Sequence, residues 1–226
     1  FFGFAASSVY AAESLIDTDG DGIPDRFETQ VYNTDPLRAD TDSDTFSDRE
    51  EIVYGYNPRG SGRLVDRDYD GDGLNDRLEV AFGTDPTVPD TNGDSVSDGA
   101  QVVAATSPTS TTPTPLQKSI AIHLADQRIE PRVAGIAIAS YPISSGLART
   151  PTPVGTFKVL QKNPRAWSSS AKLWMPYWMH FSGRGHGIHE LPEWPNGRKE
   201  GESHLGHRAS HGCVRLGMGT AKKLYD

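Results

Sequence analysis

The feature of the sequence that most constrains its fold is an acidic pattern that recurs in the first half of the chain. Residues 17–28 carry carboxylates at the first, third, fifth, ninth and twelfth positions and a glycine at the sixth, and residues 68–79 repeat this pattern in full. Alternate side chains of a tight loop point inward, glycine permits the sharp turn, and Ca²⁺ takes roughly six to eight oxygen ligands. The spacing therefore predicts loops that bind calcium.

Two further copies depart from the pattern. The copy that begins at Asp40 has Thr45 at the glycine position, and the copy that begins at Asp90 has Ser95 there and ends in Gln101. We expect weaker binding in these two loops, and a structural role for Ca²⁺ as an ion that offsets the acidity and stiffens a spacer. Over the four loops the predicted calcium ligands are Asp17, Asp19, Asp21, Ile23, Asp25, Glu28, Asp40, Asp42, Asp44, Asp48, Glu51, Asp68, Asp70, Asp72, Leu74, Asp76, Glu79, Asp90, Asn92, Asp94 and Asp98.

A turn that ends in proline follows each copy at a near-constant offset. These prolines are Pro36, Pro58, Pro86 and Pro108. Too few residues separate Glu28 from Asp40 to hold the exit helix of one EF-hand and the entry helix of the next, so one short helix per loop is predicted. Over residues 17–108 the pattern resembles the thrombospondin type 3 repeats of bacterial surface proteins, and dockerin modules match less well. A disordered acidic stretch is the alternative, against which the regularly placed Ile23 and Leu74 count.

Charge divides the chain into two parts. Residues 1–116 carry 23 acidic residues against 7 arginines and no lysine, while residues 117–226 carry 7 acidic against 15 basic residues, so net charges of −16 and +8 add to the −8 of the whole chain. Such segregation argues for two units. We predict repeats over residues 13–104, an extended Thr/Pro-rich linker over 105–117 and a second domain over 118–226.

Composition also bears on partners and compartment. The basic residues of the second half are scattered without a recognition helix or stacking motif, so we expect no nucleic-acid partner, and a polyanionic cell-wall polymer fits equally well. Residues 1–12 resemble the apolar end of a secretory signal, with a buried apolar strand as the alternative, and no later segment is apolar enough to span a membrane. We therefore expect an exported protein of the periplasm, cell wall or extracellular space.

The second domain has the pattern of a mainly β fold. Ile120, Ile122 and Leu124 alternate with small or polar residues, and Phe157 and Val159 follow a Pro-Thr-Pro-Val-Gly turn. Only residues 219–225 have a helical pattern, so one or two short helices are expected. A closing strand at the end of the chain is predicted to be missing.

The most informative segment surrounds Cys213, the single cysteine of the chain. It lies in Ser-His-Gly-Cys-Val-Arg-Leu at residues 210–216, and Gly-Ile-His lies upstream at residues 187–189. A nucleophilic cysteine needs an imidazole to take its proton, and both His189 and His211 are candidates. A buried inert cysteine is the alternative, and the six of seven histidines within residues 180–211 count against it.

These two motifs resemble the signature of the L,D-transpeptidase (YkuD-type) family. Residues 118–127, 142–146, 150–157 and 175–178 also look like segments of that family, whose catalytic domain is a β-sandwich. Two features depart from its pattern. Glu190 stands where the family usually has glycine, and residues 191–200 look like an insertion, so loop geometry and substrate preference can differ from the family.

The resemblance implies a cysteine acyltransferase that acts on peptidoglycan stem peptides, and thereby on cell-wall organisation and cell shape, without a catalytic cofactor. Cys213 would be the nucleophile and His189 the general base and acid. The expected substrate and oxyanion residues are Ser210, His211, Gly212, Arg215, Tyr177 and Trp178. Carbapenem β-lactams are the expected inhibitors. For Arg215 and His211, pinning of a loop and contact with substrate stay equally open.

Three other functions stay open. A zinc hydrolase could use the histidines and Cys213, although they lack a clear ligand spacing. An L,D-carboxypeptidase would share the chemistry up to the thioester and then use water. A calcium-dependent wall-binding protein with a silent enzyme domain is the third possibility. No role is predicted for His186, His204 or His207, which are taken as surface or loop residues.

Overall fold

A computed structural model describes residues 15–226 and divides the chain into two units, with the boundary after Leu116. The signal-like segment predicted for residues 1–12 lies outside the described residues. Within residues 15–226, no helix combines the length and the apolar character needed to cross a membrane. Each unit has its own elements and its own core.

The first unit consists of four loops, each followed by one short helix, as the spacing predicts. The helices are α1 (Asp25–Phe27), which continues as a π-helical turn (Glu28–Tyr32), α2 (Asp48–Tyr54), α3 (Asp76–Phe82) and α4 (Asp98–Ala104). Ser47, Asn75 and Ser97 accept backbone N–H groups of the first helical turn and so cap α2, α3 and α4. Left-handed residues end the helices and turn the chain toward the next loop.

The core of this unit is small. Its cluster of buried apolar residues comprises Ile23, Phe27, Val31, Tyr32, Ile52 and Val80. The Tyr32 hydroxyl donates a 2.8 Å hydrogen bond to the carbonyl of Asp76, which links the π-helical turn to α3. A core of this size provides limited hydrophobic stabilisation for a unit of roughly 100 residues, so the loops must contribute to its stability.

Residues 105–117 differ from the extended linker that the composition predicts. The backbone of Ser107 donates to Thr114 and that of Leu116 donates to Ala105, so the segment forms a hairpin-like turn. Asn92 anchors this turn, since its side chain amide donates to the carbonyls of Pro108 and Ser110. The Thr/Pro composition gave no sign of this anchor, which lies at least 16 residues away in the sequence.

The second unit is mainly β, as predicted, and its strands follow one hydrogen-bonded path through a curled sheet. The strands are β1 (Lys118–His123), β2 (Arg128–Val133), β3 (Ile136–Ala137), β4 (Tyr141–Ser144), β5 (Gln161–Ser168), β6 (Leu173–His180), β7 (Gly187–Glu190) and β8 (Val214–Leu216). Their order is β1-β2-β4-β8-β7-β6-β5, and β3 pairs with β2. One 3₁₀ turn (Glu202–His204) and one helix, α5 (Thr220–Tyr225), complete the unit.

The sheet brings two distant motifs together. β7 and β8 are parallel neighbours in which Ile188 pairs with Val214 and His189 with Arg215. Both strands are buried against a core made of Ile129, Ile143, Met179, Phe181, Ile188, Val214, Leu216 and Ala221. This pairing places the Gly-Ile-His segment beside the strand that directly follows Cys213. The strand expected around Phe157 and Val159 does not form, because both side chains are largely exposed and no neighbouring strand pairs with them within the described residues.

Candidate active site and calcium loops

In the first three acidic loops, the carboxylates at the first, third and fifth positions converge. Their oxygens lie within 4.8 Å of one another in three groups, which are Asp17 with Asp19 and Asp21, Asp40 with Asp42 and Asp44, and Asp68 with Asp70 and Asp72. The first carboxylate also closes its loop, since Asp17 accepts the N–H groups of Gly20 and Gly22 at 2.8 and 3.0 Å. This confirms the inward alternation on which the calcium prediction depends.

The sixth position of each loop takes a left-handed conformation. Gly22 and Gly73 have φ values of +94° and +96°, which glycine adopts without strain. Thr45 and Ser95 adopt φ values in the same region, +88° and +72°. A side chain in this region costs about 1–3 kcal/mol, most for a β-branched residue. The substitutions at this position therefore strain the second and fourth loops without changing their backbone path.

The third and twelfth positions offer buried oxygens that lack a protein partner. Oδ2 of Asp19 and Oε2 of Glu28 receive no hydrogen bond from the described residues, and the same holds for Asp70, Glu79 and Glu51. Glu28 and Glu79 are fully buried. Burial, with a smaller contribution from neighbouring carboxylates, raises the pKa of Glu28 to about 7 and that of Glu79 to about 9. Such a set of oxygens suits a hard divalent cation, which would supply the missing partner.

The ninth position has a role that the sequence pattern did not indicate. Asp25 accepts both the backbone N–H and the hydroxyl of Thr18, at 2.7 and 2.6 Å. Asp48 and Asp98 bind the threonines at the second positions of their loops in the same way, and Asp76 accepts the backbone N–H of Tyr69. These carboxylates were predicted as calcium ligands, but in the structure they tie the two ends of each loop together.

The fourth loop differs from the other three. Nδ2 of Asn92 donates to Oε1 of Gln101 at 3.2 Å and to the carbonyls of Pro108 and Ser110 at 3.0 and 3.1 Å, and Nε2 of Gln101 donates to Asp94 at 2.9 Å. The donors Asn92 and Gln101 replace the acidic residues of the other loops. Gln101 thus occupies an oxygen of Asp94 with a donor, and the weaker binding expected at Asp90, Asn92, Asp94 and Asp98 stays a prediction.

Carboxylates at the fifth position connect successive repeats. Asp21 accepts the backbone N–H of Arg49 at the start of α2, at 3.1 Å, and Asp72 accepts that of Gly99 at the start of α4, at 2.7 Å. A Cβ on Gly99 would lie 2.7 Å from the carbonyl oxygen of Asp72, so only glycine permits this approach. Each of these two loops is thus fastened to the helix of the following repeat.

Cys213 lies at the end of a tight turn that leads directly into β8. Ser210, which is fully buried, donates to the carbonyl of Cys213 at 2.6 Å and accepts the N–H of Gly212 at 3.1 Å. Ser210, which was expected among the substrate and oxyanion residues, thus holds the turn that carries the nucleophile. Burial raises the pKa of the Cys213 thiol, although the backbone of Gly187 and the charge of Arg215 act in the opposite direction. The resting thiol is therefore protonated at neutral pH.

His189 lies on β7 with its ring buried. Its Nδ1 donates to the carbonyl of Glu190 at 2.6 Å, because a carbonyl can only accept, so the neutral ring keeps a free lone pair on Nε2. Burial, with Arg215 acting in the same direction, lowers the pKa of His189 to about 4, despite the opposing hydrogen bond to Glu190. The ring lies 5.6 Å from that of Trp178. A neutral imidazole with a fixed tautomer is suited to accept a proton.

The structure brings most, but not all, of the other predicted site residues together. Arg215 is fastened by Glu200, whose two oxygens accept from Nη1 at 3.2 and 3.0 Å. His211 is exposed beside Gly212. Tyr177 lies elsewhere, because it packs on Tyr225 and lines a separate cleft of about 410 Å³. Of this pair, only Trp178 packs on His189.

Sequence reasoning missed His186. It was treated as a surface or loop residue, yet a Cβ on Gly212 would lie 2.7 Å from its Cδ2 and 2.8 Å from its Nε2. Gly212 has a φ of +111°, so glycine is required there for both reasons. The only sequence signal was the position of His186 directly before the Gly-Ile-His motif.

Comparison with known proteins identifies both units. Residues 117–226 match the L,D-transpeptidase catalytic domain (YkuD) family, and residues 17–39 and 68–89 match the bacterial TSP3 repeat. Residues 117–226 belong to the L,D-transpeptidase catalytic domain (YkuD) family. The segment before them contains bacterial TSP3 repeats, as the sequence resemblance implied.

Solved L,D-transpeptidase structures resemble this chain over the catalytic domain. One from Mycobacterium smegmatis is 23% identical with a TM-score of 0.43, and the match covers 50% of this chain and 55% of that one. One from Stackebrandtia nassauensis is 29% identical with a TM-score of 0.39, covering 48% and 49%. The chain thus spans about half the length of these structures. No curated protein matches it at a significant level.

The two departures from the L,D-transpeptidase pattern are structurally linked. Glu190, which is almost fully buried, accepts from Lys199 at 3.1 Å and from the backbone of Gly219 at 2.8 Å. Lys199 and Glu200 are the last two residues of the insertion-like segment, and Glu200 binds Arg215. The carboxylate at the family's glycine position thus acts as the anchor of residues 191–200, which in turn fix the arginine two residues after Cys213.

Proposed function

We propose that this chain is an L,D-transpeptidase that acts on peptidoglycan stem peptides through a thioester on Cys213. The observation that carries the proposal is the pairing of β7 with β8, which sets the neutral His189 beside the strand that follows the nucleophile. Membership of residues 117–226 in the catalytic domain family supports the same chemistry.

In the proposed mechanism, Nε2 of His189 takes the thiol proton as Sγ of Cys213 attacks the carbonyl of the third stem residue. The carbonyl oxygen becomes an oxyanion that backbone amides of the Gly212 turn stabilise. The C–N bond to the terminal D-Ala then breaks, and the imidazolium returns the proton to the leaving amine. An acceptor amine then attacks the thioester carbonyl and gives a proton to Nε2 of His189. The C–S bond breaks, and the imidazolium returns that proton to Sγ, which regenerates the thiol. Water in place of the amine would make the reaction an L,D-carboxypeptidase one.

Arg215 and Trp178 have supporting roles in this proposal. Arg215 is bound by Glu200 and only 12% of its side chain is exposed, which favours a loop-pinning role over contact with a substrate carboxylate. Trp178 packs on the buried His189 ring. A Cβ on Gly187 would lie 2.6 Å from the Trp178 ring, so Gly187 is needed for this packing.

The test is intact mass spectrometry after incubation with imipenem, which is bound in a solved structure of another L,D-transpeptidase. Sγ would attack the lactam carbonyl, the lactam C–N bond would break, and the thiol proton would end on the lactam nitrogen. We therefore expect the wild type to gain the full mass of one imipenem and Cys213→Ala to gain none. A folded wild type without an adduct would favour the silent wall-binding protein or the zinc hydrolase. Turnover of a tetrapeptide with and without an amine acceptor would then separate transfer from hydrolysis.

For the repeats, we propose that the first three loops bind structural Ca²⁺ and that the fourth loop does not. The acidic clusters at the first, third and fifth positions support binding, as do the buried oxygens of Glu28, Glu51 and Glu79, which receive no hydrogen bond from any described residue. The amide network of Asn92 and Gln101 supports the exclusion of an ion from the fourth loop.

This proposal predicts that a fourth ion can be gained by substitution. In the double variant Asn92→Asp with Gln101→Glu, carboxylates replace the two amides and restore the ligand pattern of the other loops. We expect calcium titration by isothermal calorimetry to give three ions for the wild type and four for the variant. The matched control is Glu79→Gln, which removes a ligand of the third loop and should lower the count to two. Four ions in the wild type would contradict the assignment.

A further inference from the structure

His186 lies against the turn that carries the nucleophile. Its Cδ2 and Nε2 are within 2.8 Å of the position that a Cβ on Gly212 would occupy, so the ring covers that face of the turn. The ring stacks on Phe181 at 6.4 Å, and Phe181 packs on Phe157 at 5.3 Å. Its position is therefore fixed by aromatic packing next to Cys213.

A hydrogen bond network defines which nitrogen of His186 carries the proton. The backbone N–H of His186 donates to Oγ of Ser182 at 3.3 Å, and the same Oγ lies 2.8 Å from Nδ1. If Nδ1 also donated to this oxygen, the buried Ser182 hydroxyl would keep a hydrogen without an acceptor among residues 15–226. The hydroxyl therefore donates to Nδ1, and the neutral ring carries its proton on Nε2.

The two histidines on either side of Gly187 and Ile188 thus have opposite tautomers. In His189, Nδ1 donates to the carbonyl of Glu190 and Nε2 is a free base. In His186, Nδ1 accepts from Ser182, and Nε2, which then carries the proton, lies beside Gly212. Burial, followed by the charges of Arg184 and His180, lowers the pKa of His186, so the ring is neutral at neutral pH. A neutral donor beside the nucleophile's turn is suited to bind an oxygen on which charge develops.

We propose that His186 is a further substrate-binding residue of this site, and that its Nε2–H donates a hydrogen bond to the acyl oxygen of the donor substrate as Cys213 attacks. The inference rests on the proposed function. His186 would supplement the backbone amides of the Gly212 turn, while Ser182 acts as a positioning residue that keeps the proton on Nε2.

The test compares two reactions of Cys213 in the full chain. Imipenem acylation builds an oxyanion, whereas alkylation by iodoacetamide takes place at a saturated carbon and builds none. We expect His186→Ala to slow acylation about 10- to 100-fold and to leave alkylation within about twofold. His186→Gln, which keeps an N–H donor, should recover part of the rate, and Ser182→Ala should give an intermediate loss. The control is His123→Gln on β1, a half-buried histidine paired with Glu130.

Each outcome separates this inference from the proposed function. An equal loss in acylation and alkylation for His186→Ala would mean that the ring only holds the turn, and would overturn the proposal. Unchanged acylation in both His186 variants would also overturn it while leaving the transpeptidase assignment intact. A folded wild type that imipenem does not acylate would refute the proposed function and this inference together. At and above neutral pH, where the His186 ring stays neutral, the loss should not vary with pH, unlike the loss from removing a base.

Discussion

Replacement of His189 by glutamine is expected to lower the imipenem acylation rate by about 10²- to 10⁴-fold, the usual contribution of a general base. The reason is the protonation state of the pair. Burial raises the pKa of Cys213 and lowers that of His189 to about 4, so both groups are neutral at neutral pH. The thiol then reacts only when a neighbouring base removes its proton during the attack. Glutamine has a comparable size but cannot take that proton.

The pH dependence gives a sharper test of the same prediction. In the wild type, neutral thiol and neutral imidazole coexist between the pKa of His189 and that of Cys213, so acylation should be almost independent of pH across this range. In His189→Gln the rate should follow the thiolate fraction and fall about tenfold for each pH unit below the thiol pKa. The ratio of the two rates should therefore grow as the pH falls. A ratio that does not depend on pH would argue that His189 has a structural role, and circular dichroism of the variant controls for misfolding.

The part of the site that could be predicted from sequence is the part that short-range spacing determines. Alternation over residues 17–21 is enough to bring three carboxylates together, because the ligands belong to a single tight loop. Cys213 and His189 were found through motifs of a few residues. Their approach to each other depends on the β7–β8 pairing, which the motifs imply only through the family that they resemble.

The part that could not be predicted depends on contacts between distant segments. Glu200 reaches Arg215 across 15 residues, and Asn92 reaches Ser110 across 18, and no local pattern encodes either contact. Tyr177 was assigned to the substrate residues because residues 175–178 resemble a segment of the family. It has a positive φ of +52° on β6, which local propensity does not anticipate for a tyrosine. In each case tertiary packing determines where the side chain lies and which residues it contacts, and the local sequence does not.

The insertion-like segment illustrates how a departure from a family pattern can be compensated within one structure. A carboxylate at position 190 would be costly in a buried strand without partners. Lys199 and the N–H of Gly219 provide those partners, and the neighbouring Glu200 binds Arg215. Glu190 and residues 191–200 are therefore expected to function as one feature, which shapes the wall of the site next to Cys213.

Removal of calcium is expected to unfold the repeat unit and to leave the catalytic domain folded. An ion present at roughly 1,000 times its dissociation constant stabilises the state that binds it by about 4 kcal/mol. Three such ions would then contribute about 12 kcal/mol, which is comparable to the entire stability of a typical domain. Without them, the buried carboxylates of Glu28, Glu51 and Glu79 keep oxygens that nothing in residues 15–226 satisfies, and they lie among the aspartates of their own loops.

Hydrogen exchange with and without EDTA measures this effect in each unit separately. The amides of α2, α3 and α4 should lose most of their protection in EDTA, because these helices are short and the unit has only a small apolar core. The amides of β6, β7 and β8 should keep theirs, since the buried core of the catalytic domain contains no acidic loop. Restored protection on addition of Ca²⁺, but not of an equal concentration of Mg²⁺, would follow from the larger coordination number of calcium. Protection in α2 and α3 that survives EDTA would show that the first three loops are held by their internal hydrogen bonds instead, as proposed for the fourth loop.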